Sequence, residues 1–134
     1  MKLTTWEPKT DLGEARLTKE EDVKGVPALH ISTKDGCTAS FRTRTQLPQG
    51  RYRFEARVKT QGVVLDANDQ RAGAGLRVSR YRTGQKNTGD RDWTPAVFDL
   101  DVKEGQGDVE LVCELRADKG DVWFDLNSLK LSRR

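Results

Sequence analysis

Nine consecutive residues in mid-sequence, Arg51-Tyr52-Arg53-Phe54-Glu55-Ala56-Arg57-Val58-Lys59, alternate strictly between charged and apolar. In an extended strand this puts Tyr52, Phe54, Ala56 and Val58 on one face and five charges on the other. A helix would scatter both sets around its circumference. The segment therefore requires a sheet with one dry face and one wet face, which antiparallel sheets supply. The same period recurs at residues 37–44, 96–102, 108–116 and 122–131, and more weakly at 15–18, 28–32 and 76–79. Turn residues punctuate the pattern at Lys34-Asp35-Gly36, Leu47-Pro48-Gln49-Gly50, Gly105-Gln106-Gly107 and Asp118-Lys119-Gly120. In the last segment the apolar phase slips between Leu126 and Leu129, which predicts a bulge at Asn127-Ser128. Eight such strands imply an all-β antiparallel β-sandwich of the jelly-roll kind, with a barrel as the alternative.

The chain has 134 residues, one domain's worth, and no internal repeat or linker divides it. Residues 1–134 are therefore read as a single sandwich domain. Mean hydropathy is −0.78, and no apolar run approaches the roughly 18 residues a membrane-spanning helix needs. Membrane insertion is not expected. Met1 to Glu7 has no secretory apolar segment, which suits either a cytoplasmic protein or a module cut from a longer secreted chain. Cys37 and Cys113 lie far apart, without a metal-ligand spacing, and each is in phase with apolar neighbours. Two buried core thiols are the plainer reading and a disulfide the other.

Charge is unevenly distributed. Residues 41–91 hold 12 Lys/Arg against 4 Asp/Glu, and residues 92–127 hold 3 against 10. The blocks admit a basic patch for nucleic acid or an anionic glycan. The blander reading has basic and acidic strands side by side, neutralising each other across a sheet.

Certain features in order resemble the galactose-binding-domain-like superfamily. They are Trp6, the Ala28-Leu29-His30-Ile31 strand after Gly25-Val26-Pro27, the strand Gly50 to Val58 with its Tyr, Phe, Ala and Val, Trp93-Thr94, and the closing Gly120-Asp121-Val122-Trp123-Phe124-Asp125 run to Leu129. Within it the chain is most similar to the jelly-roll carbohydrate-binding modules of bacterial multidomain proteins. The resemblance implies a non-catalytic accessory domain that targets a larger extracellular or cell-envelope protein to a glycan. It also implies a structural calcium held by Asp125 with Glu7, Asp11 or Glu14; otherwise Asp125 bonds backbone at the sheet edge. Neighbouring domains of a parent chain are then its other partners. A structural or protein-interaction module without sugar specificity fits the same residues.

Catalysis finds little support. His30 is the only histidine and alternates outward in its strand, and no nucleophile elbow, phosphate loop or dinucleotide fingerprint is present. Asp99, Asp101, Glu110 and Glu114 fall on wet faces beside arginines, unlike a carboxyl whose pKa is raised for acid catalysis. Sugar stacking needs exposed aromatics, and the candidates are Trp6, Tyr81, Trp93 and Trp123. Tyr81 sits in a long polar loop with Arg80, Arg82, Asn87 and Arg91, which with the adjoining loop 62–75 and Trp93 is the expected site. The second candidate is an arginine-rich face, containing Arg42, Arg44, Arg53, Glu55, Arg57, Arg77, Asp99 and Glu114, where guanidinium groups suit an acidic polysaccharide. Nucleic acid is disfavoured, because base-stacking aromatics are missing from the basic strands.

Overall fold

The computed structural model describes residues 3, 5–21, 24–65, 72–80 and 86–134. The alternating segment 51–59 lies inside β5 (Gly50–Val64), and the described residues contain nine more strands and no helix. Before it come β1 (Glu7–Gly13), β2 (Arg16–Glu21), β3 (Pro27–Thr33) and β4 (Cys37–Gln46). After it come β6 (Gly73–Val78), β7 (Gly89–Val102), β8 (Asp108–Ala117), β9 (Lys119–Asp125) and β10 (Lys130–Arg133). All pairings are antiparallel. One sheet runs β1-β4-β8-β6, and the other runs β2-β3-β9-β5-β7, with β10 beyond β9 on the same side of β5. Two separate sheets facing one core make this a jelly-roll β-sandwich rather than a barrel.

Period two decides what fills the core. Phe54 and Val58 from β5, Phe124 from β9, Leu29 and Ile31 from β3 meet Phe41, Leu111 and Leu115 from the opposite sheet, all at most 1% exposed. Trp6 joins them at 1% exposure, stacked on Phe54 with ring centroids 6.2 Å apart, and donates its indole N–H to the Leu3 carbonyl. It is a core residue and offers no ring to a sugar. Cys37 and Cys113 are both buried free thiols, and burial raises the pKa of each.

The blocks of charge cancel across strand pairs. Basic β5 lies against acidic β7, with Arg53 2.9 Å from Asp99 and Arg51 opposite Asp101. Basic β4 lies against acidic β8, with Arg42 2.7 Å from Glu110 and Arg44 3.2 Å from Asp108. Asp99 and Glu110 are held below the ordinary carboxylate range. For Asp99 the Arg53 bond dominates; for Glu110 burial pushes upward, but Ser79 and Arg42 outweigh it.

Among the described residues ten strands replace the eight expected. β1 went unread because all its residues are exposed and it has no apolar alternation. The predicted bulge at Asn127-Ser128 is instead a turn that separates β9 from β10, closed by Leu129 N–H donating to the Asp125 carbonyl. Gly73-Ala74-Gly75 begins β6.

A candidate ligand face on the six-stranded sheet

The expected arginine face divides between two sheets. Arg42, Arg44, Arg77 and Glu114 lie on the outer face of the four-stranded sheet, and Arg53, Glu55, Arg57 and Asp99 on that of the six-stranded sheet. Glu114 is not solvated as alternation predicts. It is 5% exposed, with Lys86 Nζ at 2.9 Å and Arg77 Nη2 at 3.0 Å. Burial raises its pKa, but Lys86 and Arg77 together reverse the shift and hold it below the ordinary range. A general acid needs the opposite shift. Asp99, Asp101 and Glu110 are likewise tied to Arg53, Lys103 and Arg42.

The expected loop site is not gathered into one patch. Tyr81 and Arg82 lie outside the described residues. Arg80, exposed and the one described non-glycine residue with positive φ (73°), follows β6 beside Gly105 and Gln106. Asn87 bridges Ala74 at the opposite end of β6, is 5% exposed, and accepts from Arg91 Nη1 at 3.2 Å. Its amide is spent on the fold. Nor are the expected calcium ligands brought together. Asp125 accepts the Asn127 N–H at 2.9 Å within its own turn, Glu7 faces Arg42 across the other sheet, and the Glu14 carbonyl accepts the Thr33 hydroxyl. Among the described residues no cluster of three or more carboxylate, histidine or cysteine side chains forms that could hold a metal. The described side chains named for it do not build the implied cation site.

What does assemble lies on the outer face of the six-stranded sheet. β9 pairs with β5 from Val58 onward and β10 from Tyr52 to Glu55, so Ala56 and Arg57 have no strand beside them on that side. The Ser128 hydroxyl fills the ladder there, accepting the Arg57 N–H at 2.7 Å. A cleft of about 270 Å³ results, lined by Arg57, Pro95, Asn127, Ser128 and the Glu55–Lys130 pair. Along the edge strand β7, alternation from buried Ala96 and Phe98 turns Trp93, Pro95 and Val97 outward; Trp93 is half-buried, Pro95 and Val97 exposed. This apolar stripe borders the cleft. Asn127 is exposed, and its side-chain amide is not hydrogen-bonded among the described residues.

Farther across the same face one row of the ladder reads Thr18, His30, Trp123, Lys59. His30 and Trp123 both point outward, as alternation predicts. Their rings stack at 4.4 Å and 10°, and Lys59 Nζ lies 5.5 Å from the Trp123 ring on β5's side. Glu20 Oε1 sits 2.5 Å from His30 Nδ1, and Asp121 Oδ1 2.8 Å from Nε2. A carboxylate faces each ring nitrogen, Glu20 from β2 and Asp121 from β9, so the ring is clamped between the two strands. The Trp123 indole is flanked by His30 from β3 and Lys59 from β5, which leaves Trp93 the better placed aromatic for a ligand.

Of the predicted site residues, the structure thus places Arg57 in the cleft and Trp93 two positions along β7 from its Pro95 wall, and fastens Arg53 to Asp99. Pro95, Val97 and Asn127 escaped the sequence reading, since only the β5–β7 register and the gap between β9 and β10 bring them together.

No family model matches the sequence, and no curated protein matches it. Solved structures do. A family 61 carbohydrate-binding module, solved with β-1,4-galactotriose, is 14% identical, with a TM-score of 0.62 over 99% of this chain and 91% of that one. A family 4 carbohydrate-binding module is 16% identical, with a TM-score of 0.61 over 90% and 78%. The enzymatically active domain of tailspike protein 4 of bacteriophage CBA120 is 11% identical, with a TM-score of 0.68; 96% of this chain matches but only 19% of that one. The fold of this chain is that of the jelly-roll carbohydrate-binding modules.

Proposed function

We propose that the chain is a non-catalytic carbohydrate-binding module, carried by a larger extracellular or envelope protein, and that it holds its glycan on the outer face of the six-stranded sheet. The observation that carries this reading is the cleft at the β9–β10 gap. Its lining sets Pro95, the middle of the outward row Trp93, Pro95 and Val97 on β7, beside a free Asn127 amide and the exposed Arg57. Sugars present apolar C–H faces and polar hydroxyls together, and such a surface matches both. The similarity to two carbohydrate-binding modules supports the reading at the level of fold.

A polysaccharide affinity-gel screen of the whole chain tests it, run with calcium and again with chelator because the family resemblance implies that ion. β-1,4-Galactan belongs in the screen, since the similar family 61 module was solved with a galactotriose. Retardation by one polymer class, lost in Trp93→Ala at unchanged Tm, is the expected result. Mobility unaffected by every polymer rejects the reading in favour of an accessory module that spaces or contacts other domains. That second reading has its own support: Trp123, the other outward indole, is engaged by His30 and Lys59.

A further inference from the structure

We infer that the ligand of this face carries a carboxylate, as uronic-acid polymers do, and that Arg57 is the residue that recognises it; the inference rests on the glycan-binding reading above. The arginines on the wet faces of β4, β5 and β6 are mostly committed. Arg42 is held by Glu110, Arg44 by Asp108, Arg53 by Asp99 and Arg77 by Glu114. Arg57 differs for a reason visible in the register. The outward residues of β7 opposite β5 run Asp101, Asp99, Val97, Pro95, and Pro95 is the one that faces Arg57. The acidic complement therefore breaks off two outward positions before it, and the next β7 carboxylate beyond Pro95, Asp92, accepts the Trp93 N–H.

On its other side lies the gap between β9 and β10, where Ser128 engages only the Arg57 backbone. Glu55, the nearest outward carboxylate on the same strand, is 3.0 Å from Lys130. Among the described residues no carboxylate lies within 4 Å of the Arg57 guanidinium, which is exposed at the cleft mouth. With Arg57 and Lys130 against Glu55, the cleft lining carries excess positive charge, and Lys59 adds another cation one outward position along β5.

A guanidinium offers two parallel N–H donors that match a carboxylate's two oxygens. A neutral sugar would use Asn127 and the Trp93 stripe but leave that fork unmatched. A pyranose with its C–H face on the stripe and its carboxylate on Arg57 uses all three.

The test measures retention of the intact chain by a polyuronate, by the same polymer after carboxyl reduction, by a sulfated polysaccharide, by neutral galactan and by polyglutamate. Polyuronate should bind about tenfold more tightly than its reduced form, the usual effect of one charge-assisted bond, and Arg57→Gln should abolish that difference. Arg57→Lys should recover part of it, with one point charge in place of the fork. Equal binding of the native and reduced polymers, an unaffected Arg57→Gln, or equal or tighter binding of polyglutamate or the sulfated polymer each overturns the carboxylate assignment. Binding of galactan in preference to the polyuronate, removed by Trp93→Ala and left alone by Arg57→Gln, overturns it too while preserving the glycan reading. Failure of every polymer to bind removes both.

Discussion

Lys86 lies across the glycine floor of β6 and sets its ammonium 2.9 Å from the Glu114 carboxylate, the two side chains only 10% and 7% exposed. Alternation sends Glu114 outward from β8, and Gly73 and Gly75 beside it on β6 carry no side chain to cover it. Lys86, next to Asn87 where it bridges Ala74, supplies the cover. Arg77 completes the group, so one buried carboxylate serves two cations. Loss of the carboxylate leaves both cations without a partner. Glu114→Gln should cost about 3 kcal/mol at neutral pH, as breaking buried pairs does. Because the folded pKa is lowered, the contribution is present above the ordinary carboxylate range and is lost as pH falls through the folded value. Denaturant melts at several pH values should show a steep acid decline in the parent chain and a shallower one in the variant. Parallel curves would show that Glu114 does not drive acid unfolding.

The same close approach of Lys86 makes Gly73 a critical position. A Cβ there would stand 2.7 Å from Lys86 Cβ, on a backbone with φ +129°. Gly105 also has positive φ (+78°), but nothing lies within 4 Å of its would-be Cβ. Gly105→Ala should therefore cost only the backbone strain, about 1 kcal/mol, and Gly73→Ala about 2–4 kcal/mol with the crowding added. Equal losses in chemical melts would mean that Lys86 moves aside freely.

His30 ties the edge strand β2 to the sheet. β2 pairs with β3 alone, and its burial is slight, so the Glu20–His30–Asp121 clamp is a large part of what fastens it. His30→Ala should speed hydrogen exchange at the amides of β2 by about tenfold, the weight of one charge-assisted bond, and leave those of β4 and β8 unchanged. Uniform acceleration across both sheets would instead assign His30 a global role.

Alternation made β5, β7 and β8 readable, including which residues face the core, because each strand has one dry and one wet side. It could not reveal β1, whose residues are all exposed. Nor could it distinguish a bulge from a turn at Asn127-Ser128, since both shift the apolar phase from Leu126 to Leu129. The site was half readable for the same reason. Arg57 and Trp93 stand out as an outward arginine and an edge tryptophan. That Arg57 meets Pro95 and Asn127, with Trp93 two positions along β7, depends on strand register and on the break between β9 and β10, which a one-dimensional pattern does not carry. The arginine face was mixed because period two tells which side a residue faces but not which sheet it joins.

The two outward tryptophans should separate stability from binding. Trp123 is stacked on His30 and faced by Lys59, so its indole is engaged by the protein itself. Trp123→Ala removes an aromatic pair and a cation–π contact, together worth about 1–2 kcal/mol. Its Tm should fall by several degrees while glycan retention stays near that of the parent chain. Trp93 sits in the β7 stretch where two residues, Asp92 and Trp93, oppose Lys59 between the Thr94–Val58 and Arg91–Thr60 pairs. Half-buried at the sheet edge, it contributes less to the core, so Trp93→Ala should barely move Tm and should abolish retention. The pair of measurements, Tm by calorimetry and retention by affinity gel, is decisive only when read together. If Trp123→Ala abolishes retention and Trp93→Ala does not, the ligand lies on the His30 side of Lys59, and the cleft at the β9–β10 gap is not where it binds.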